Sequence, residues 1–543
     1  MIRLLYTFFI IIFLIAIIKK TTRSLHMLQQ NLYNENNRYL KWIGKNVKDF
    51  INVEIIGVIL SLYTLLKIYS ETKYTNIIIL VLILVYMFSF ATILKMESKN
   101  QNKKPLVYTA RVKRLLVTIS IIYLIPIIFM YIYFDNSYLL WLWITILTIL
   151  GYLNYFIVYL AKIINTPIEK SVFLHFRRMA KRKLASMSHL KVIGTTGSYG
   201  KTSSKNILAD ILNIRYNTLP SPRNLNTPNG LMITINNHLD KFTEIFIAEM
   251  GAYKKGEIKE LCDLVEPKYG ILTRIGTAHL QTFGSEENIQ EGKFELIESL
   301  PDDGFAILNK DDPKQVEYVE HKLKNKIKII WIGIDNDADY MATNIKCDKN
   351  GTTFDLKIKD DKKKYSFTTK LLGYHNVYNI LAGIACGVEF NINIDKLIQA
   401  VKTVKPIEHR LRIKKLGNFY QIDDAYNSNP VGAKSAVEVL GMFDGIKVVV
   451  TPGMIELGDK EDFYNKEFGR QIATLSKADY VVLIGEKKTK PIYDGLIEAG
   501  YNKENIITYN DVKESYKFIG TLTNGKEEVY ALFENDLPDT YNE

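Results

Sequence analysis

The chain has 543 residues, enough for two to four domains with cores of their own. Its net charge of +12 conceals a division: residues 1–191 carry 25 Lys and Arg against 7 Asp and Glu, and the remainder carries 45 against 51. The basic excess therefore belongs to the N-terminal third, which removes nucleic acid as the partner suggested by charge for the rest. Three scattered cysteines, Cys262, Cys347 and Cys386, exclude a disulfide framework and a CxxC metal site, and suit a reducing compartment.

In chain order, the first third reads as membrane. Tyr74–Leu94, Leu115–Phe134 and Asn136–Ala161 contain no charged residue and are long enough to cross a bilayer. Leu4–Ile18 is shorter, and Lys19 and Lys20 follow it where a signal peptide would have a small-residue cleavage site, so it reads as a span. Phe50–Ser70 is the fifth expected span, with an interfacial helix as the alternative, because Glu54 and Lys67 lie within it and each costs roughly 2.5–3.5 kcal/mol at mid-bilayer. No single span holds a paired acid and base, so nothing here suggests a transporter. Lys and Arg concentrate in 19–49 (seven), 95–114 (seven) and 162–191 (eight), while 70–73 carries one. With five spans, that asymmetry puts the N-terminus outside and everything after Lys162 in the cytoplasm. The expected division is a transmembrane region over 1–165, a basic linker over 166–189, and soluble domains over 190–405 and 406–543. The run Arg177–Lys183 is a flank suited to anionic lipid headgroups or to water.

From Leu190 the chain alternates short apolar runs with helix-period segments, the pattern of an α/β fold with a mostly parallel sheet. At its start, Lys191-Val-Ile-Gly-Thr-Thr-Gly-Ser-Tyr-Gly-Lys-Thr reads as a strand, a glycine-rich turn and a helix N-terminus. Such a turn lets backbone N–H groups converge on phosphate oxygens, with a lysine for the terminal phosphates and a hydroxyl for Mg²⁺. Thr195 occupies the place of the first glycine in the long phosphate-loop pattern, leaving the shorter form Thr196, Gly197, Ser198, Tyr199, Gly200, Lys201, Thr202. Phe246–Ala248 reads as a strand ending at Glu249, where Mg²⁺ needs oxygen ligands beside the loop. Gly270–Gly276 reads as a further strand that delivers His279 to the same edge, and Asn288–Leu300 as a helix carrying Lys293. After Lys405-Pro406, strands at Phe419–Ile422, Lys447–Val450, Tyr480–Ile484, Ile506–Tyr509 and Val529–Phe533 outline a small doubly wound unit without a GxGxxG fingerprint.

These pieces in series resemble the Mur ligase family of ATP-dependent amide-forming enzymes, from about Leu190 to the C-terminus. They are TGSYGKTS (196–203), RNLNTPNG (223–230), IAEMGAYKKGEI (247–258), TAHLQTFGS (277–285), EGKFEL (291–296), NKDD (309–312), GYHNVYN (373–379), HRLR (409–412), DDAYNSNP (423–430) and MIELGD (454–459). The nearest branch is the one that adds D-alanyl-D-alanine to a muramoyl tripeptide. The resemblance implies a P-loop central domain and a Rossmann-like C-terminal domain that closes over it near 403–411, with ATP and Mg²⁺ bound. It implies that Lys201 and Thr202 hold phosphates and the first Mg²⁺, that Glu249 and His279 arrange the metals, and that Lys293 is carbamylated to become a metal-binding carboxylate. It further implies that Asn376 and Asn379 meet adenine, that Arg410 and Asp424 meet the nucleotide from the C-terminal domain, with Tyr426 and Asn427 extending that loop on the substrate side, and that Asn224 and Thr227 approach the carboxylate substrate.

The implied chemistry is attack of a carboxylate on the γ-phosphate, giving an acyl phosphate, followed by displacement of phosphate by an amine of an amino acid or dipeptide. Two departures from the family stand out. Membrane spans occupy the place of the domain that grips the nucleotide sugar, which points to a bilayer partner and a cell-wall precursor peptide presented at the membrane surface. The last strand runs into Glu534-Asn-Asp-Leu-Pro-Asp539, where a Lys-Gly-Ser turn is usual. The expectation is a multi-pass cell-membrane protein with cytoplasmic catalytic domains, acting in peptidoglycan precursor synthesis. A poly-amino-acid capsule ligase, a precursor-amidating ligase, a transport ATPase (for which an LSGGQ signature is missing) and a silent scaffold are the rivals.

Overall fold

A computed structural model describes residues 2–543 except 32, 34–36, 47–52, 68–73, 100–104, 349, 408, 426–428, 456, 458–459, 526 and 536–543. The chain divides into two compact units, Met1–His175 and Phe176–Glu543.

The first unit is helical: α1 (Ile2–Gln30), α2 (Arg38–Lys45), α3 (Glu54–Lys67), α4 (Thr75–Lys99), α5 (Ala110–Ile132), α6 (Ser137–Tyr152) and α7 (Asn154–Ala185), the last running past the unit's boundary. Phe9, Phe13, Tyr86, Trp141 and Ile144 pack its core. Helices over Arg3–Gln30, Thr75–Lys95 and Ala110–Ile132 are long and apolar enough to cross a bilayer. The described part of the Phe50–Ser70 stretch is a 14-residue helix, about 21 Å long and short of a ~30 Å hydrocarbon core.

Three sequence expectations change here. Asn136–Ala161, read as one span, is broken at Leu153, where α6 and α7 meet at 87°. Lys20 Nζ takes the carbonyls of Gly151 (3.0 Å) and Tyr152 (3.3 Å), and buried Asn154 donates to Thr21 Oγ1 and Tyr123 OH, so side chains replace the helix ladder at the break. Secondly, an acid and a base do pair, between helices rather than within one: Lys20 of α1 bonds Glu54 of α3, whose other oxygen accepts from Ser89 of α4 at 2.6 Å. Thirdly, the stretch 166–189, expected as a linker, is helical through Ala185.

The second unit holds two sheets. Nine strands lie in the order β2-β3-β1-β4-β5-β6-β7-β8-β9: β1 (Lys191–Thr196), β2 (Thr218–Pro220), β3 (Ile245–Glu249), β4 (Tyr269–Leu272), β5 (Phe305–Asn309), β6 (Lys328–Gly333), β7 (Tyr340–Asp348), β8 (Gly351–Ile358) and β9 (Lys364–Thr369). The pairings from β2 to β7 are parallel, and β7-β8-β9 is an antiparallel extension. The central strands are apolar on both faces because helices cover both. Ile193, Ile247 and Ile307 meet Ile207 and Ile211 of α8 (Lys201–Leu212) and Ile380 and Ile384 of the helix Tyr374–Glu389 in one core.

The second sheet runs β10-β11-β15-β12-β13-β14, with β10 (Arg412–Leu416) antiparallel to β11 (Phe419–Asp424). β12 (Ile446–Thr451), β13 (Tyr480–Ile484), β14 (Ile506–Tyr509) and β15 (Val529–Glu534) are parallel. β15 inserts between β11 and β12, so the last strand ends beside Asp424.

Candidate functional site

The site forms where β1, β3 and β4 end, the edge of an open parallel sheet at which ligands collect. β1 pairs with both β3 and β4, placing Thr195 opposite Glu249 and Thr196 opposite Leu272. The chain then turns through Gly197 (φ 150°) and Gly200 (φ 81°) into α8. A Cβ on Gly197 would lie 1.9 Å from Thr273 Oγ1, so this turn is closed to other residues. Thr273 Oγ1 itself donates to Tyr199 O (2.6 Å), which fixes the loop.

A cleft of about 280 Å³ opens there, lined by Ser198, Tyr199, Gly200, Lys201, Thr202, Asn224, Glu249, His279 and Arg410 among others. Lys201 Nζ donates to Gly197 O (2.8 Å) and Ser198 O (3.3 Å). Burial lowers its pKa, Glu249 opposes that, and Arg410 adds to it. Thr202 Oγ1 donates to Glu249 Oε1 at 3.1 Å, and Asn226 Nδ2 donates to the same oxygen at 3.0 Å. His279 starts a short helix at φ 61°, and its ring lies 4.4 Å from that of Tyr253. Burial, then the charges of Lys201 and Lys293, push its pKa down to about 4, so the imidazole is neutral at pH 7.

Lys293 is buried behind this cleft, 3.4 Å from Ala252 O and over the Phe283 ring. Burial first and Lys201 second hold its pKa well below the usual lysine range, against Glu257 and Glu295. A lowered pKa favours the neutral amine, the form of lysine that reacts with CO₂.

Among the described residues no group of three or more His, Cys, Asp or Glu assembles. A magnesium ion here would draw on the Thr202 hydroxyl, the Glu249 carboxylate and the His279 ring. These residues fit such an ion, because two oxygens already meet at Glu249 Oε1 on the cleft wall.

A second cavity of about 330 Å³ runs from Tyr199 and Gly200 past Tyr378 and Asn379 to Arg410, Asp424 and Glu534. Its span from phosphate loop to the 374–389 helix suits a nucleoside. Asp424 Oδ1 accepts from Leu411 N at 3.2 Å, and burial raises its pKa to about 6 despite Arg410. Glu534, expected just past the last strand, is fully buried in β15 and accepts from Thr451 Oγ1 at 3.2 Å.

Three residues named from sequence lie elsewhere. Thr196 is buried with its hydroxyl on Met250 O (2.8 Å), beneath the loop. Thr227 caps the helix Pro228–Asn237, accepting from Gly230 N at 3.3 Å. Asn376 donates to Leu372 O (2.9 Å) and borders a different cavity. Tyr426 and Asn427 lie outside the described residues. Conversely, Asn226 and Lys205 were not singled out. Asn226 sits inside the RNLNTPNG segment, and Lys205 is one helical turn beyond Lys201, which are the signals that would have found them.

Residues 195–387 match the Mur ligase middle domain. The chain is 32% identical over 341 residues to the UDP-N-acetylmuramoyl-tripeptide–D-alanyl-D-alanine ligase of Bacillus subtilis, covering 62% of this chain and 71% of that one. It is 30% identical to the Escherichia coli enzyme of the same name, over 55% of this chain and 65% of the relative. Among solved structures, MurF from Acinetobacter baumannii superposes with TM-score 0.60 at 27% identity, over 67% of this chain and 77% of the other. MurF from Thermotoga maritima in complex with ADP superposes with TM-score 0.59 at 25% identity, over 67% and 80%.

Proposed function

Because the chain belongs to the Mur ligase family, ATP-dependent and amide-forming, we propose that it joins D-alanyl-D-alanine, or a similar amino acid or dipeptide, to a cell-wall precursor peptide at the membrane. The single observation that carries the reading is the convergence of Lys201, Thr202, Glu249 and His279 on one cleft, with Lys293, its pKa lowered by burial, behind it. The printed names of the relatives supply the dipeptide and the tripeptide.

In this reading a carboxylate oxygen of the acceptor bonds to the γ-phosphorus while the bond to the ADP oxygen breaks. The donor amine then bonds to the acyl carbon, phosphate leaves, and the amine gives up a proton. The first step brings two anions together. Lys201, drawn from its loop carbonyls, is placed to spread charge on the transferred phosphoryl group, and the N–H groups of residues 199–202 leading into α8 act in the same sense. Magnesium, when bound, supplies Lewis-acid stabilisation of the same oxygens. Glu249 accepts from Thr202 and Asn226 at its cleft-side oxygen, and neutral His279 offers a lone pair rather than a repelling cation. Asn224 and Asn226 face the cleft where the acceptor carboxylate would arrive.

The apolar helices of the first unit support membrane anchorage, and the lysine and arginine distribution supports catalytic domains on the cytoplasmic side. A lipid-linked acceptor follows naturally. The test is full-length protein in detergent with ATP, Mg²⁺, D-alanyl-D-alanine and either nucleotide-linked or lipid-linked muramoyl tripeptide. Phosphate release that requires both partners, with a product heavier by the dipeptide, is expected. Release with single amino acids and a growing homopolymer would instead identify a capsule ligase, and release with no acceptor at all would reject amide formation.

A further inference from the structure

The phosphate-loop helix carries a second lysine that the reaction as described leaves unused. Lys205 is 0% exposed. Three oxygens from two other segments surround its ammonium: Glu249 Oε2 at 2.9 Å, Ser221 O at 2.7 Å and Arg223 O at 2.6 Å. The two carbonyls accept hydrogen bonds from the ammonium, and the Glu249 carboxylate balances its charge as an ion pair. The two Glu249 oxygens are thereby divided. Oε2 faces Lys205 in the interior, and Oε1 faces the cleft with Thr202 and Asn226. Arg223 lies at φ 49°, a left-handed turn that brings the carbonyls of 221 and 223 to the same nitrogen. The residues that leave this turn, Asn224 and Asn226, line the cleft.

We infer that Lys205 is a positioning residue for the ligase reaction: it fixes which carboxylate oxygen of Glu249 faces the cleft and clamps the 221–226 segment that presents Asn224 and Asn226 to the acceptor. This rests on the ligase reading given above. A neutral side chain in its place leaves Glu249 free to turn and the segment free to drift, while the phosphate loop keeps its own supports at Thr273 and Arg274 O. The loss therefore falls on catalysis and acceptor binding rather than on nucleotide binding.

The test compares Lys205→Met, Lys205→Arg and Glu249→Gln with wild type in full-length protein, with thermal melting as the check on folding. For Lys205→Met, kcat should fall about 100-fold or more, the size of losing one oriented charge contact. KM for the acceptor should rise, and the Kd for ADP measured in EDTA should stay within about threefold, below 1 kcal/mol. Lys205→Arg keeps the charge without the compact head and should lose only about tenfold in kcat. It also carries the test should Lys205→Met fail to fold. Wild-type kcat in a folded Lys205→Met, or in Lys205→Arg when only that variant folds, overturns the inference. So does an ADP affinity that falls in step with kcat, which marks collapse of the loop. Wild-type turnover in Glu249→Gln would overturn the ligase reading itself, a different failure.

Discussion

Among the described residues two lysine–glutamate pairs are buried, and their surroundings are nearly the same. Lys20 bonds Glu54 and the carbonyls of Gly151 and Tyr152; Lys205 meets Glu249 and the carbonyls of Ser221 and Arg223. In each case the second carboxylate oxygen takes hydroxyl or amide donors, Ser89 in the helical unit and Thr202 with Asn226 in the other. The difference lies in what the carboxylate looks out on. Glu54 is enclosed by helices and its lysine covers a helix break, whereas Glu249 Oε1 faces a cleft shared with Lys201 and His279. The same chemical unit thus serves architecture in one region and an open coordination position in the other, and only the neighbouring cavity tells them apart.

The comparison breaks most sharply on the cleft side. Lys201→Ala should remove ATP-dependent product, a loss of at least about 10²–10³ in rate, with little change in melting temperature. Turnover at the wild-type level would take the cleft out of the chemistry altogether. On the bundle side the effect should be reversed in kind. Glu54→Leu strands the Lys20 ammonium in an apolar interior and should cost about 3–5 kcal/mol of stability. Lys20→Met with Glu54→Leu should recover most of it, since no lone charge is left. Specific activity of the folded fraction should stay at wild type in both. A double variant no more stable than the single one would show that the pair's value lies in bonding the Gly151 and Tyr152 carbonyls, not in charge balance.

What could be read in advance follows the same line between local and non-local physics. The order strand, glycine turn, Lys201 and helix was legible, because a phosphate loop is written in consecutive residues. The C-terminal strands were legible to within two residues, since each is a short apolar run between helix-period segments. β10 and the antiparallel β7-β8-β9 extension went unread: Lys346, Lys357 and Lys364 alternate with apolar residues on half-exposed strands, a weaker signal than a buried run. The break at Leu153 was invisible because the side chain that takes its free carbonyls, Lys20, lies 131 residues from Gly151. Thr227 and Asn376 were placed at the site by their motif, but one caps a helix and the other braces a turn. Both jobs are local backbone bonding that motif spacing does not record.

A smaller effect sharpens the catalytic side. Burial, and then the charge of Lys201, lower the pKa of Lys293 and favour its neutral amine. If its part is to carry a carbamate, Lys293→Ala should lose most activity and regain a fraction of it when a short-chain carboxylic acid is supplied, because that acid restores an oxygen donor. An identical partial recovery in Lys201→Ala would show the acid acting generally and not at the Lys293 position.

The smallest expected effect concerns pH and the nucleoside cavity. His375 lies there with Nδ1 2.9 Å from Ser435 Oγ, and burial together with Arg410 pushes its pKa down to about 4. Unfolded, it takes a proton near pH 6.5, so between pH 6.5 and 4 the unfolded chain binds more protons than the folded one. The stability from keeping His375 neutral is complete above that window and is lost as pH falls through it. Asp424, on the same cavity, works in the opposite sense: its pKa is raised to about 6 from near 4, so the folded chain takes up the proton first and stability falls as pH rises through that range. Urea midpoints of the full-length protein between pH 4.5 and 7 should therefore separate the two. His375→Gln should flatten the acid-side loss relative to wild type, and Asp424→Asn should steepen it. Parallel curves for all three proteins would mean that neither group changes its protonation on folding, and that the cavity walls are wetter than their packing implies.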